Sequence, residues 1–306
     1  MSQHIAIFTD DPGWHGAELH RAFNNHGYAC TNVSLTGCRI EIGTARQSLF
    51  IPGFDNTLPD GVFVRGVPGG TLEEVVFYLD ILHALQSLNI LVYNDARAIE
   101  RSVDKGMTSF LLNHSNISTP PTCVGNNAHQ AYAFIREQLK LGHQVVAKPL
   151  FGSQGKNLQL ITKPDDIADF TVYNKIYYLQ RFIETGENSS YDWRLFVIGD
   201  QVIAAMRREG SGWISNIANG GTSHPAVLDE KFMYLSKNAV NAVGMFYGGV
   251  DVMQDLDGKL WVTEVNSIPA WRGLQSVNNI VVAEKLVENF ISCLQLRSDA
   301  GVAGQF

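Results

Sequence analysis

The chain has 306 residues, which is long enough for two or three domains with their own hydrophobic cores. Hydrophobic residues make up 45% and charged residues 17%, and this composition excludes a chain that is disordered throughout. The formal net charge of -7 argues against broad nucleic-acid binding, which needs a basic surface.

Signals for membranes, disulfides and zinc are lacking in the sequence. No apolar run reaches the roughly 20 residues that a membrane-spanning helix needs, and the N-terminal MSQHIAIFTD is not typical of a signal peptide. The four cysteines are far apart and form no CxxC pair. The nine histidines show no metal-ligand spacing. We therefore expect a protein of the reducing cytosol, with no membrane and no nucleic-acid partner.

The first hundred residues alternate strand and helix patterns. Helices are predicted at 16–26 and after Thr71, which with Glu74 forms a capping box. Strands are predicted at 5–9, 61–65 and 90–93. This alternation indicates a small α/β domain with a mostly parallel sheet.

Beyond residue 100 the pattern changes to hairpins and separate helices. Gly199-Asp200 and the segment 255–258 are predicted turns. Helices are predicted at 104–113, 128–141, 229–243 and 280–294. Strands are predicted at 144–149, 158–161, 176–183, 192–199, 201–208, 249–254 and 259–265. This half is expected to be α+β.

The last predicted hairpin carries three oxygen-bearing side chains on one face. If Gln254 pairs with Lys259, Asp251 lies diagonally from Glu264, and Asn266 shares that face because strand side chains alternate. The other face is apolar and carries Val250, Val252 and Val265. Such oxygens suit Mg²⁺, which takes few carboxylates together with substrate phosphate oxygens. The alternative is a solvated hairpin face.

A lysine followed by a glycine-rich loop predicts a phosphate contact. Lys148 ends a strand, and the loop Gly152-Ser153-Gln154-Gly155 follows closely. Glycines let backbone N–H groups approach phosphate oxygens, and a lysine neutralises their charge. The GxxxxGK[ST] spacing is absent, so this is not a Walker A loop. A hairpin turn without function would look similar.

Other polar positions are weaker signals. Lys105 opens a predicted helix, where a bound anion or plain solvent would both explain it. The segment Gln180–Ile183 leaves a strand, and Asp192 follows in the next one. Arg207 and Arg208 are adjacent on a strand, so at most one of them is expected to face the site.

Taken in order, these segments resemble the ATP-grasp superfamily and, more closely, the RimK-like α-L-glutamate ligases. The resemblance covers roughly residues 60–290 and is carried by DKG, AKPLFGSQGK, LQRFI, YDWRLFVIGDQVIAAMRR, WISNIANGG, GGVDV and TEVNSIPAW. It implies an ATP-grasp fold with an N-terminal pre-ATP-grasp α/β domain at 1–102. The ATP-grasp domain would cover 103–296, as two α+β lobes at 103–178 and 179–296, followed by a tail at 297–306.

The resemblance also implies roles for the residues singled out above. ATP phosphates would be held by Lys105 and Lys148, with Gly152, Ser153, Gln154 and Gly155 closing over them. Adenine would be held by Gln180, Arg181, Phe182 and Ile183, largely through their backbone, and the ribose by Asp192. Asn216 would be a further nucleotide contact. Two Mg²⁺ or Mn²⁺ ions would be bound by Asp251, Glu264 and Asn266, and Arg208 would stabilise the acyl phosphate.

This sequence departs from the family pattern at three positions. Arg181 stands where glutamate is common, Ile214 where arginine is common, and Asn157 where a glycine is common. Asparagine tolerates positive φ better than most residues. Arg181 and Ile214 favour a rival hypothesis, a nucleotide-binding regulatory module without catalysis. A dinucleotide dehydrogenase is disfavoured because no GxGxxG follows a strand.

The implied reaction joins a carboxylate to an amine through an acyl phosphate. Pro269–Leu274 carries a Trp-Arg-Gly-Leu form similar to RimK-like proteins of tetrahydromethanopterin metabolism. The implied substrates are therefore a small-molecule acid such as a pterin coenzyme and an amino acid, glutamate, and the chain is expected to be a homo-oligomer. The alternative is a ligase acting on a protein or peptide. Arg272 is either a reader of a substrate carboxylate or a surface arginine.

Overall fold

The computed structural model describes residues 3–43, 48–54, 57–152, 156–167, 171–186, 190–210, 212–213 and 221–303. The chain divides into two compact units. The first unit contains Met1–Glu100, Met245–Tyr247 and Ile268–Phe306, and the second contains Arg101–Gly244 and Gly248–Ser267. Within the described ranges, none of the helices has both the length and the apolar character needed to cross a membrane.

The helices and strands are named here in chain order. The helices are α1 (Gly13–Asn25), α2 (Leu72–Ser87), α3 (Ala96–Val103), α4 (Lys105–His114), α5 (Ala128–Lys140), α6 (Glu230–Val243), α7 (Arg272–Gln275) and α8 (Val282–Ala303). The strands are β1 (His4–Phe8), β2 (Ala29–Val33), β3 (Arg39–Ile40), β4 (Leu49–Phe50), β5 (Gly61–Val64), β6 (Leu91–Tyr93), β7 (Thr122–Gly125), β8 (Val145–Ala147), β9 (Gln159–Ile161), β10 (Tyr177–Arg181), β11 (Ser190–Ile198), β12 (Gln201–Gly210), β13 (Thr222–Pro225), β14 (Tyr247–Gln254) and β15 (Leu260–Asn266).

A parallel sheet forms the centre of the first unit, in the strand order β2-β1-β5-β6. This confirms the α/β prediction for the first hundred residues. The capping box that starts α2 is present, with Thr71 and Glu74 bonded reciprocally. On one side of the sheet, Phe290 of α8 packs against Phe23 of α1 with ring centroids 5.3 Å apart. A Cβ at Gly61 would lie 2.8 Å from Phe290, so only glycine permits this close approach.

Antiparallel pairing dominates the second unit, as the predicted hairpins require. One sheet has the order β7-β10-β8-β9 and the other β13-β12-β11-β14-β15. The strand pairs whose register is described are antiparallel. The predicted turn at Gly199 joins β11 to β12, and this glycine has the positive φ of 53° that such a tight turn favours. The second sheet carries the acidic and basic side chains described next.

The unpredicted elements are strands β2, β3, β4, β7 and β13 and helices α3 and α7. The segment after β15 belongs to the first unit, where α8 packs. The domain limits at residues 102 and 296 rest on the family resemblance and stay a proposal.

Candidate functional site

The hairpin β14–β15 brings two carboxylates directly opposite each other. Gln254 pairs with Leu260 and not with Lys259, so the predicted register was wrong. The connection is longer because Asp255 closes it, accepting hydrogen bonds from the N–H groups of Asp257 at 3.1 Å and Lys259 at 2.8 Å. A bulge between Asp251 and Val252 then shifts the register again, and Asp251 comes to lie opposite Glu264.

The two faces of this hairpin are separated as the sequence predicted. Asn266 lies opposite Gly249, whose carbonyl accepts a long hydrogen bond of 3.4 Å from Nδ2 of Asn266. The opposite face packs in the core through fully buried valines, Val250, Val252 and Val265. Since these valines hold the strands against the core, the polar face is fixed in orientation.

Asp251 is buried and is held by two arginines. Arg194 binds it bidentately, with 2.8 Å between Nη2 and Oδ2, and Arg208 lies 2.9 Å from the same oxygen. Burial alone would raise the pKa of Asp251, but the charges of Arg194 and Arg208 outweigh burial and lower it to about 2. Asp251 is therefore ionised and surrounded by positive charge.

Arg208 also binds Asp192, so the four side chains form one network. Its Nε and Nη2 donate to the two oxygens of Asp192 at 2.7 and 2.6 Å, and both residues are buried. Burial opposes the charge on Arg208, yet the two carboxylates raise its pKa above the ordinary value. Arg207 instead pairs with Glu209 at 2.9 Å. As expected for neighbours on a strand, Arg208 joins this network and Arg207 does not.

The sequence analysis did not single out Arg194. Its position contained the signal, because Asp192 and Arg194 are two residues apart on β11 and share a strand face. The sequence did not show that β11 lies beside β14, the strand that carries Asp251.

Two lysines of the second unit are coupled to Glu264 by charge. Lys105 donates through Nζ to the carbonyl of Gly152 at 2.6 Å, and Lys148 donates to Oε1 of Gln180 at 2.7 Å. Burial lowers the pKa of both lysines, to about 8 for Lys148, while the charge of Glu264 raises both. The carboxylate of Glu264 on β15 therefore favours the charged form of a lysine from α4 and of a lysine that follows β8. These are the residues expected to hold phosphates and metal.

The segment Gln180–Ile183 is engaged in protein contacts. The amide Nε2 of Gln180 donates to the hydroxyls of Thr122 and Tyr178, both at 3.1 Å. The guanidinium of Arg181 lies over the ring of Trp261, 4.6 Å from its centroid. The backbone N–H groups of Arg181 and Phe182 donate to carbonyls at 2.9 Å, those of Pro121 and Gln144. Contacts to a ligand would come from the remaining backbone groups.

Part of the expected site lies outside the described residues, namely Ser153, Gln154, Gly155, Ile214 and Asn216. At the edges of the loop, Gly152 has a φ of 149° and Asn157 a φ of 57°. The positive φ of Asn157 confirms the expectation that asparagine serves here in place of glycine.

The donors on the hairpin fit Mg²⁺ better than zinc. In the described ranges, no group of three or more His, Cys, Asp and Glu side chains is placed to hold a metal by itself. Glu264 and Asn266 offer a carboxylate and an amide, both hard oxygen donors, whereas the carboxylate of Asp251 already accepts hydrogen bonds from Arg194 and contacts Arg208. Mg²⁺ is bound in this way, by one or two carboxylates completed with substrate phosphates and water.

Known proteins that resemble this chain are ligases, and a family model matches most of its second half. Residues 102–290 match the RimK-like ATP-grasp domain. The tetrahydromethanopterin:α-L-glutamate ligase of Methanocaldococcus jannaschii is 35% identical over 223 residues, 70% of this chain and 75% of that protein. The α-aminoadipate–LysW ligase LysX of Saccharolobus solfataricus is 32% identical over 206 residues, 64% of this chain and 73% of that protein.

Solved structures show the same fold. The ATP-grasp ligase PsnB, in complex with a minimal precursor, Mg and ADP, has a TM-score of 0.72 at 19% identity and covers 95% of this chain and 98% of that one. A RimK domain ATP-grasp protein of Sphaerobacter thermophilus has a TM-score of 0.70 at 20% identity, with coverage of 94% and 98%. The expected ATP-grasp fold is confirmed by these structures.

Proposed function

This chain belongs to the RimK-like ATP-grasp family of carbon–nitrogen ligases, and we propose that it joins L-glutamate to a carboxylate of a small coenzyme, such as a tetrahydromethanopterin-type pterin. The family assignment rests on the match over residues 102–290. The substrate proposal draws on a 35% identical relative that is a tetrahydromethanopterin:α-L-glutamate ligase.

One observation carries the site assignment, the charge coupling of Glu264 with Lys105 and Lys148. Glu264 lies on the hairpin face proposed to bind metal, and its charge acts on both lysines proposed to bind phosphates. ATP with Mg²⁺ would fit both, since the lysines would neutralise its phosphates and a metal at Glu264 would complete its coordination with phosphate oxygens.

The proposed reaction has two steps. The acceptor carboxylate attacks the γ-phosphorus of ATP, which gives an acyl phosphate and ADP. The amine of glutamate then attacks the acyl carbon, phosphate leaves, and an amide forms. Neither step needs a side-chain nucleophile, so the protein acts by positioning and by neutralising charge.

Lys105 and Lys148 would neutralise the phosphates, and the loop from Gly152 to Gly155 would cover them. Backbone groups of Gln180–Ile183 would hold the adenine. Two Mg²⁺ or Mn²⁺ ions would be held by Asp251, Glu264 and Asn266, and they would supply charge neutralisation at the transferring phosphoryl group.

Arg208 would stabilise the acyl phosphate, and Asp192 would hold the ribose. Both side chains are paired with each other in the described structure, at 2.6 and 2.7 Å. For these roles the pair has to act as one unit beside the nucleotide, with Asp192 using its remaining lone pairs. Each carboxylate oxygen has such capacity, because it can accept more than one hydrogen bond.

The test is turnover with defined substrates. The protein is incubated with Mg-ATP, L-glutamate and tetrahydromethanopterin or simpler pterin acids. ADP release is followed, and the mass of the product is measured by mass spectrometry. We expect ADP and a product heavier by one glutamyl residue. ATP binding without ADP release or amide, for every acceptor tried, would favour the regulatory module instead.

A ligase that acts on a carrier protein or peptide is the second candidate. It is favoured by the 32% identity to an α-aminoadipate–LysW ligase and by the fold shared with PsnB, solved with a minimal precursor. The same assay with LysW-type carrier peptides distinguishes the two. The expected homo-oligomer is a separate proposal, which light scattering of the purified chain tests.

A further inference from the structure

A cluster of aromatic and cationic side chains lies in the first unit. Its members are Trp14, His15, Arg65, Trp271 and Arg272, here called the Trp–Arg cluster. The guanidinium of Arg65 lies 4.9 Å from the ring centroid of Trp271, and that of Arg272 lies 5.9 Å from the centroid of Trp14. The two indoles are 6.4 Å apart. Cation–π contacts of this kind hold arginines in place without neutralising them.

Among the described residues, the two arginines of this cluster have no acidic partner. No ion pair between a carboxylate and Arg65 or Arg272 occurs within the ranges that the structure describes. Arg65 donates through Nη1 to the carbonyl of Ile268 at 3.3 Å, but its buried Nε has no hydrogen-bond partner. A buried donor without a partner is costly. It is explained if an anion completes the site.

His15 belongs to the cluster as a neutral ring. The backbone N–H of Trp271 donates to Nε2 of His15 at 3.2 Å, so this nitrogen carries a lone pair. Burial and the charges of Arg65 and Arg272 lower the pKa of His15 to about 4, although Asp11 acts in the opposite direction. At neutral pH the positive charge of the cluster is therefore that of its two arginines, and Nδ1–H of His15 remains as a neutral donor.

The side chains of the cluster differ in their exposure to solvent. Trp271 is fully buried and supports Arg65 from behind, while Trp14 and His15 are half-buried and Arg272 is exposed. A ligand would therefore meet guanidinium groups and one imidazole, and not the face of the buried indole. Recognition of carboxylates by arginine suits this arrangement better than ring stacking does.

We propose that the Trp–Arg cluster binds both carboxylates of L-glutamate, neither of which takes part in amide formation, through the guanidinium groups of Arg65 and Arg272. This inference rests on the proposed function, because it assumes that glutamate is the amine substrate. Two guanidinium groups match two spectator carboxylates. The acceptor's reacting carboxylate is a poorer candidate, since it has to remain exposed to the phosphoryl group.

The test measures binding of L-glutamate by calorimetry, with the full chain, Mg²⁺ and a non-hydrolysable ATP analogue. We expect Arg272→Gln to weaken glutamate binding about tenfold or more, since a charge-assisted hydrogen bond to the ligand is lost. The matched control is Arg97→Gln, an exposed arginine of the same unit that should leave the affinity unchanged. Arg65→Gln should have an effect at least as large, with thermal unfolding checking that it still folds. L-glutamine, which offers one free carboxylate, should bind the wild-type chain more weakly than L-glutamate.

The outcomes separate this inference from the proposed function. Unchanged glutamate affinity in Arg272→Gln would overturn the inference, even if the wild-type chain forms the amide. A raised KM for the acceptor with an unchanged KM for glutamate would also overturn it, since the cluster would then hold the acceptor. Absence of ADP release in the wild-type chain, with intact ATP and glutamate binding, would count against the proposed reaction and leave the binding assignment standing.

Discussion

Asp192 and Arg208 face each other across β11 and β12 and form two buried hydrogen bonds of 2.7 and 2.6 Å. Arg208 extends the contact to Asp251, which also binds Arg194. The charges of the site are therefore held in a fixed arrangement before any ligand enters. Pre-arranged charge of this kind needs little reorganisation during reaction.

Removing one member of the buried pair should destabilise the fold. In Arg208→Ala, Asp192 stays buried without its main partner, and we expect a loss of about 3–5 kcal/mol in the free energy of unfolding. Urea-induced unfolding measures it. Arg207→Ala is the control, because the ion pair of Arg207 is at the surface and is worth roughly 0–1 kcal/mol. Equal losses in the two variants would contradict the buried pair.

Titration of Asp251 should make the free energy of unfolding depend on pH in the acid range. Its pKa of about 2 in the folded chain lies below the ordinary value of about 3.9. A lowered pKa contributes stability that is present above pH 4 and is lost as the pH falls towards 2. We expect a flatter stability profile between pH 5 and pH 2 for Asp251→Asn, measured by urea unfolding at each pH. Asp257→Asn, an exposed turn variant, should keep the wild-type slope.

Titration of Lys148 should make the affinity for ATP depend on pH in the alkaline range. With a pKa of about 8 it is mostly charged at pH 7 and mostly neutral at pH 9, so its attraction for phosphate falls over this range. We expect ATP affinity, measured by calorimetry, to decrease as the pH rises through 8. Lys148→Ala should bind ATP more weakly at pH 7 and lose this dependence, whereas the exposed Lys140→Ala should match the wild type. Unchanged affinity in Lys148→Ala would rule out its phosphate contact.

Glu264 is expected to be indispensable for turnover. Glu264→Gln keeps the shape of the side chain but removes the charge that a metal needs, so amide formation should fall to less than about a tenth of the wild-type rate. Circular dichroism should show an unchanged fold, because Glu264 is only half-buried on the hairpin. Glu137→Gln on the exposed side of α5 serves as the control. Retained activity in Glu264→Gln would refute the metal assignment.

Arg181 is expected to contribute little to nucleotide binding. Its guanidinium lies over Trp261 at 4.6 Å, so Arg181→Ala should lower stability by about 0.5–1 kcal/mol through the lost cation–π contact. The KM for ATP should change less than about twofold in steady-state assays. A large rise in KM would mean that the side chain itself reaches the nucleotide.

The sequence by itself determined the fold class, the family, and the helices and hairpins that carry the proposed site residues. Glu264 and Asn266 share a strand face by alternation alone, and the capping box of α2 is a local interaction, so neither needs tertiary information. Local signals of this kind are contained in a few neighbouring residues.

Tertiary structure decided which of these groups touch. The register of the hairpin differs from the predicted one by one residue at Gln254 and, beyond the bulge, by two at Asp251, which brings Asp251 opposite Glu264. The placement of β11 beside β14 gave Arg194 its partner. Arg65 and Trp271 are more than two hundred residues apart, yet they stack. Contacts between distant segments depend on how strands and helices pack, which no local period encodes, and this is why the charge network and the Trp–Arg cluster appear only in the folded chain.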